Sequence, residues 1–217
     1  MPCAICELRR AKRFCPGVRG DICTICCGIE REVTVACPLD CEYLRDARRH
    51  EKPALIDSAS VPHQDIRVSE KFLEENEALL VFLGASLGAA AIETTGVSDR
   101  DVHDALEALI RTYRTLQSGV YYETRPDNAL ARPLFDRIQS AVQEFRTEEQ
   151  GRLGIPKTRD ADVLGLLVCL QRLALDCDNG RRQGRSFIDR LGSFQGAPAA
   201  KAGTGNPGSL GSSLILP

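Results

Sequence analysis

Apolar residues recur at helical spacing through most of the chain after residue 68. Phe72, Leu79, Leu80, Leu83, Leu87 and Ala90 predict one long helix from Ser69, a good N-cap, to about Thr94. Gly84, Ala85, Gly88 and Ala89 give it a small-residue face that would let a neighbouring helix approach closely. Ser98 opens the next helix, with Asp99 and Asp101 in the first turn, where carboxylates suit the helix dipole. Its apolar stripe is Val102, Ala105, Leu106, Leu109, Ile110, Tyr113 and Leu116, and Gly119 closes it. Val120 to Pro126 breaks the pattern. A further helix is expected from about Pro133 to Gln150, with Leu134, Phe135, Ile138, Val142 and Phe145 facing inward. Asp160 caps another that runs to about Cys177, apolar around most of its circumference and therefore central. Asn179-Gly180 ends it, and Ser186 to Phe194 forms a last short helix.

The expected fold class is mainly α. Residues 69–194 form an antiparallel bundle of four to five helices, and residues 53–68, with Pro53 and Pro62, form a loosely packed linker. Residues 195–217, rich in Gly, Ala, Ser and Pro with Lys201 as their one charge, form a disordered tail.

Residues 1–52 follow another pattern. Tyr43, Leu44 and Ala47 predict a short helix with Asp40 as its N-cap, and Glu32 to Ala36 has some strand character. Eight of the ten cysteines lie here: Cys3, Cys6, Cys15, Cys23, Cys26, Cys27, Cys37 and Cys41. Close thiol pairs separated by loops of seven to nine residues are what tetrahedral zinc requires. Eight sulfurs match two closed sites of four thiolates, with one zinc and spare thiols as the alternative. So small a unit cannot stay folded by apolar burial alone, so metal binding would supply the folding free energy.

The run Cys3-Ala-Ile-Cys6, Phe14-Cys15-Pro16, Ile22-Cys23-Thr-Ile-Cys26-Cys27 and Cys37-Pro-Leu-Asp-Cys41 resembles the small cross-brace zinc fingers of the HIT, MYND and B-box kind. The resemblance covers about a fifth of the chain. It implies two interleaved structural zincs and a protein-interaction platform. By that pattern Cys3 and Cys6 share one zinc with Cys23 and either Cys26 or Cys27. Cys15, the remaining member of the adjacent pair, Cys37 and Cys41 hold the other. HIT and MYND fingers end in His-x3-Cys, whereas this chain has Cys37-x3-Cys41, and Cys15 lacks a close partner.

Composition narrows the function. Lys and Arg number 28 against 30 Asp and Glu, so no global charge draws the chain to nucleic acid or anionic membrane. No basic segment leads a long apolar run at the start, so we expect a cytoplasmic setting that keeps the thiols reduced for metal rather than disulfides. The apolar runs Ala78–Ile92 and Val163–Leu175 fall short of the ~20 residues that a membrane span needs. Eight thiolates leave no open coordination position, which argues against a catalytic zinc. Cys169 and Cys177 read as core residues, and His63 and His103 as surface histidines without a nucleophile to serve. Glu123, Arg125, Asp127 and Asn128 read as a hydrogen-bonded turn. The arginines at 181, 182, 185 and 190, with Arg9, Arg10, Lys12 and Arg13, could meet phosphates, yet residues 1–52 carry only 10 basic against 8 acidic side chains. The leading expectation is a non-enzymatic, zinc-binding adaptor with a protein partner. The alternative is nucleic-acid binding through those arginines, and a thiol redox sensor or an enzyme with a pocket near Arg125 ranks third.

Overall fold

A computed structural model describes residues 1–51, 61–119 and 122–195. Of the expected tail, residues 196–217 lie outside the described residues, as do residues 53–60 of the expected linker and Val120 and Tyr121, while Gln195, expected to begin the tail, ends the last helix. The chain is mostly helical, and none of the helices among the described residues is long and apolar enough to cross a membrane.

The N-terminal region opens with a hairpin, β1 (Arg13–Cys15) and β2 (Gly20–Ile22), paired antiparallel with Phe14 opposite Asp21. Two short helices follow, α1 (Thr24–Glu30) and α2 (Glu42–Arg48). The turn of the hairpin presses on the segment before Cys37. A Cβ on Gly17 would lie 2.7 Å from a Val35 methyl and 2.8 Å from the Ala36 carbonyl oxygen, a gap only glycine leaves. Two local expectations change. Glu32 to Ala36 does not pair as a strand beyond an isolated Arg31–Val35 bridge. Glu32 takes a left-handed backbone (φ 54°), and the amides of Val33, Thr34 and Val35 all donate to the Glu30 carbonyl, which coils the segment into a tight loop. The N-cap of α2 is Cys41 rather than Asp40, because the Cys41 carbonyl accepts the first helical bond, from the Arg45 amide, while the Asp40 carbonyl is taken by the Arg45 side chain.

The remaining helices are α3 (Glu70–Glu75), α4 (Glu77–Glu93), α5 (Asp99–Gln117), α6 (Ala131–Leu153), α7 (Asp160–Asp176) and α8 (Ser186–Gln195). Ser69 caps α3 as expected, its hydroxyl accepting from the Phe72 amide. The single helix expected from Ser69 to Thr94 is interrupted at Asn76 (φ −117°, ψ 17°), whose side-chain amide donates to the Phe72 carbonyl and competes with the helical ladder. At Ser98 the amide and the hydroxyl both donate to Asp101, fixing the start of α5. Helix α6 begins two residues before Pro133, which fits inside the first turn, and extends to Leu153. Helix α7 starts at Asp160 itself, with Arg159 as the N-cap. It buries every residue from Asp162 to Gln171, which explains its lack of a polar face.

Helix α4 contacts α6 and α8, while α5 contacts α6 and α7. The small face of α4 meets α8: a Cβ on Gly84 would lie 3.1 Å from the Phe194 ring, and one on Gly88 would lie 3.0 Å from the Leu191 Cβ and 3.2 Å from its carbonyl oxygen. Residues 61–68 are fastened rather than loose. The Arg172 guanidinium on α7 donates to the carbonyls of Pro62, His63 and Ile66.

Helix α8 is capped across the chain. The Asp99 carboxylate accepts from the amides of Phe187 and Ile188, each at 3.0 Å. Burial nonetheless outweighs these bonds and pushes its carboxyl up to about 6. The folded state therefore favours the protonated acid. Its stabilising contribution is complete below the ordinary value of 3.8 and is lost as pH rises through about 6.

Three outcomes are expected from denaturant unfolding. The stability of the wild-type chain relative to Asp99→Asn should fall between pH 3.8 and about 6, by on the order of 1–3 kcal/mol; a constant difference would mean that burial does not dominate at Asp99. Gly88→Ala should cost about 1–3 kcal/mol because the Leu191 backbone cannot yield. Gly28→Ala, which meets nothing within 4 Å, should instead stabilise by about 0.5–1 kcal/mol.

Candidate metal centre

Four of the eight N-terminal cysteines converge. The Sγ atoms of Cys3, Cys6, Cys23 and Cys26 all lie within 4.8 Å of one another. Four thiolates at about 2.3 Å from a tetrahedral ion are spaced about 3.8 Å apart, so this set fits a metal without rearrangement of the backbone.

The local chain explains the convergence. Cys3 and Cys6 sit on a knuckle closed by the Cys3 amide on the Arg9 carbonyl and the Glu7 amide on the Cys3 carbonyl, each at 2.8 Å. The Ala4 amide donates to the Asp21 carbonyl and holds the knuckle against β2. Cys23 follows β2 directly and is the N-cap of α1, its sulfur accepting from the Cys26 amide at 3.4 Å. The Cys23 amide in turn donates to the Cys3 sulfur at 3.2 Å. The C-x2-C spacing thus places Cys26, the only buried residue of α1, one helical turn after the cap.

Electrostatics at the cluster matches a cation site. Burial raises the Cys3 thiol, but hydrogen bonds from the amides of Cys6, Cys23 and Ile5 outweigh it and bring the thiol down to about 6. The amides of Arg9 and Leu8 likewise lower Cys6. Cys26 is driven the other way, to about 12, by burial and by its three sulfur neighbours. Four touching thiols cannot all ionise alone, and a divalent cation at their centre would release the remaining protons.

The sulfurs of the other four cysteines do not draw together as the first four do, but all four residues border one space. Cys15, Cys27, Cys37 and Cys41 line a single cavity of about 20 Å3, together with Ile22, Tyr43 and Leu44. Space of that size admits one small occupant. Arg13 lies over the Tyr43 ring, 3.9 Å from its centroid, and its Nη1 is 3.7 Å from the Cys27 sulfur. Arg31 Nη2 reaches the same sulfur at 3.9 Å. The adjacent pair is therefore divided, Cys26 facing the first cluster and Cys27 the second cavity.

The remaining candidates lie elsewhere. Cys169 is buried in α7, where burial pushes its thiol up to about 11, and Cys177, also raised by burial, sits at the C-cap of that helix. His63 is not a free surface histidine. Its Nδ1 faces Arg114 at 3.0 Å and its Nε2 faces Glu107 at 3.3 Å, so both ring nitrogens serve to fasten residues 61–68. An open groove of about 910 Å3 runs beside Arg125 and α6, lined by four carboxylates (Glu123, Asp136, Glu144, Glu148) and the Arg125 guanidinium. Arg125 is ion-paired to Glu123 and Asp136. Arg181, read from sequence as part of a phosphate-facing cluster, donates to the Arg31 carbonyl and pairs with Glu51.

Sequence reading overlooked Glu32, the one fully buried acidic side chain among the described residues, and its partners around Asn179. Its signal was weak, a lone acid in a segment that reads as a strand.

No family model, no curated protein and no solved structure matches this chain.

Cys26→Ser is expected to lower the bound metal by one ion per chain, whereas Cys169→Ser should leave it unchanged. Metal content of the purified full chain by native mass spectrometry decides this, and equal loss from both variants would sink the assignment.

Proposed function

We propose that this chain is a zinc-binding, non-enzymatic protein of the cytoplasm whose N-terminal module is a platform for a protein partner. In this reading two structural zincs sit in cross-brace order. Cys3, Cys6, Cys23 and Cys26 hold one, and Cys15, Cys27, Cys37 and Cys41 hold the other. The carrying observation is the convergence of the first four sulfurs. The shared cavity of the second four supports the count of two and the division of Cys26 from Cys27. The helices after residue 69 form the antiparallel bundle on which the module sits.

Chemistry favours structure over catalysis at both sites. Four thiolates close the coordination shell, and their electron donation leaves zinc a poor Lewis acid. The case for a partner comes from α1, which buries only Cys26 and turns Ile25 (48% exposed) and Ile29 (64% exposed) outward on one face. Phe14, at the centre of β1, is also exposed. A two-turn helix that keeps its isoleucines in water suits an apolar contact with another protein.

Charge favours a protein over nucleic acid. Residues 1–52 carry a net of about +2 without metal; eight thiolates around two divalent ions add about four negative charges and make the loaded module acidic. Arg13, Arg31 and Arg9, which approach the Cys27 and Cys6 sulfurs, are then engaged in balancing thiolate charge.

Native mass spectrometry should find two zincs per chain. Affinity purification with wild type, Cys23→Ser/Cys26→Ser and Ile25→Asp/Ile29→Asp tests the platform. Both variants should lose the wild-type partners, the second while retaining two zincs. Equal recovery with all three chains would remove the adaptor reading, and salt-sensitive retardation of labelled RNA would put nucleic acid in its place.

A further inference from the structure

The loop between the last residue of α1 and Cys37 is held from outside the module. Glu32, at its turn, is 0% exposed and adopts φ 54°, a left-handed backbone that a non-glycine residue reaches only with compensation from its surroundings. That compensation is unusually complete. One carboxylate oxygen, Oε1, accepts from Arg48 of α2 at 2.7 Å and from the Arg185 amide at 3.1 Å. Oε2 accepts from the Asn179 side-chain amide at 3.0 Å. The Glu32 carbonyl accepts from the Gln183 amide at 2.8 Å. Its own amide donates to the Val35 carbonyl at 3.1 Å, inside the loop.

The neighbours of Glu32 are gripped in the same way. Arg181 donates to the Arg31 carbonyl at 3.0 Å, and the Gln183 side chain donates to the Thr34 carbonyl at 3.3 Å. Arg48 binds Asp189 of α8 with its other nitrogen, at 2.6 Å. Residues 179–185 thus hold Arg31, Glu32 and Thr34 of a loop that runs from α1, which carries Cys27, to Cys37, and Arg48 ties in α2, which starts from Cys41. Three of the four thiols lining the second cavity are carried on segments that meet at this contact. Cys3, Cys6 and Cys23 lie on the knuckle and after β2, away from it.

We propose that the loop of residues 179–185, acting on Glu32, is a remote positioning clamp that sets how firmly the Cys15–Cys27–Cys37–Cys41 site keeps its metal. This rests on the two-zinc reading above and extends it to residues more than 130 positions from any of those ligands. Coupling of this kind is reciprocal. Whatever loosens residues 179–185 loosens the metal, and loss of the metal frees the loop that the helical region grips.

The test exploits the geometry of the carboxylate. Asn179→Asp sets two carboxylates against each other, and Glu32→Gln sets two amide donors against each other. The double variant restores a donor and an acceptor, with the introduced amide nitrogen toward the introduced carboxylate and the amide oxygen still toward Arg48 and the Arg185 amide. The zinc-loaded full chain is challenged with a chelator, and freed thiols are pulse-alkylated and located by mass spectrometry. Each single variant should expose Cys37 and Cys41 about tenfold faster than wild type, the worth of one lost hydrogen bond to a charged group. Cys3 and Cys6 should react at the wild-type rate, and the double variant should return Cys37 and Cys41 toward it. Arg181→Met, which loosens the same loop without burying an unpaired charge, should act in the same direction and stands in if a single variant fails to fold. Unchanged rates at Cys37 and Cys41, or an equal rise at all eight cysteines, would overturn the clamp. A wild-type chain that takes up no zinc would instead overturn the two-zinc reading itself.

Discussion

A buried carboxylate must be answered by donors, and much of how this chain's two regions meet follows from how Glu32 is answered. Withdrawing an ion from water costs several kcal/mol unless partners replace the hydration shell. Glu32 finds a guanidinium from α2, a side-chain amide from the loop after α7 and a main-chain amide just before α8. Two of these donors lie 147 and 153 residues beyond Glu32, so the ion can be satisfied only when both regions are folded and in register. An ion answered in this way adds specificity more than stability, since removing any one partner leaves a charge stranded.

The two regions are cohesive for different reasons. The helical region has one continuous apolar core, drawn from α4 to α8, to which α7 contributes the longest buried run. Each helix contributes a stripe, and the glycines of α4 let α8 settle close enough for Leu191 and Phe194 to fill the gap. The N-terminal region has a much smaller core in which cysteine sulfurs are the main constituents beside Ile22, Val35 and Leu44. Apolar area of that size is small against the chain entropy of some fifty residues, and a cation held by Cys3, Cys6, Cys23 and Cys26 would add to the folding free energy.

Long polar side chains do the joining. Arg172 gathers three carbonyls of residues 61–68, Arg181 takes a carbonyl of the α1–α2 loop, and Arg48 bridges two carboxylates. Guanidinium suits this task because its planar fork serves several acceptors at once. In a sequence the same residues read as a basic surface, because nothing local distinguishes an arginine facing solvent from one facing a distant carbonyl.

Periodicity by itself determined the helices after residue 68, since a helix's buried stripe must repeat every three to four residues wherever it packs; α1, which buries only Cys26, has no such stripe and was not legible. Caps and breakers located most of their ends, and Ser69, Ser98 and Gly119 act where a local rule puts them. Local rules failed where a side chain competed for backbone, as Asn76 does in splitting α3 from α4. Cysteine spacing likewise pointed to Cys3, Cys6, Cys23 and Cys26 as a set able to hold a metal, because ligand pairs on one tight turn or one helical turn have few possible separations. Only the tertiary structure decided which sulfurs meet. Cys26 and Cys27 are adjacent in sequence, and the direction in which α1 leaves β2 sends them to opposite sides. Only the tertiary structure, too, made Glu32 central, since burial of a charge depends on donors that the chain brings back from its far end.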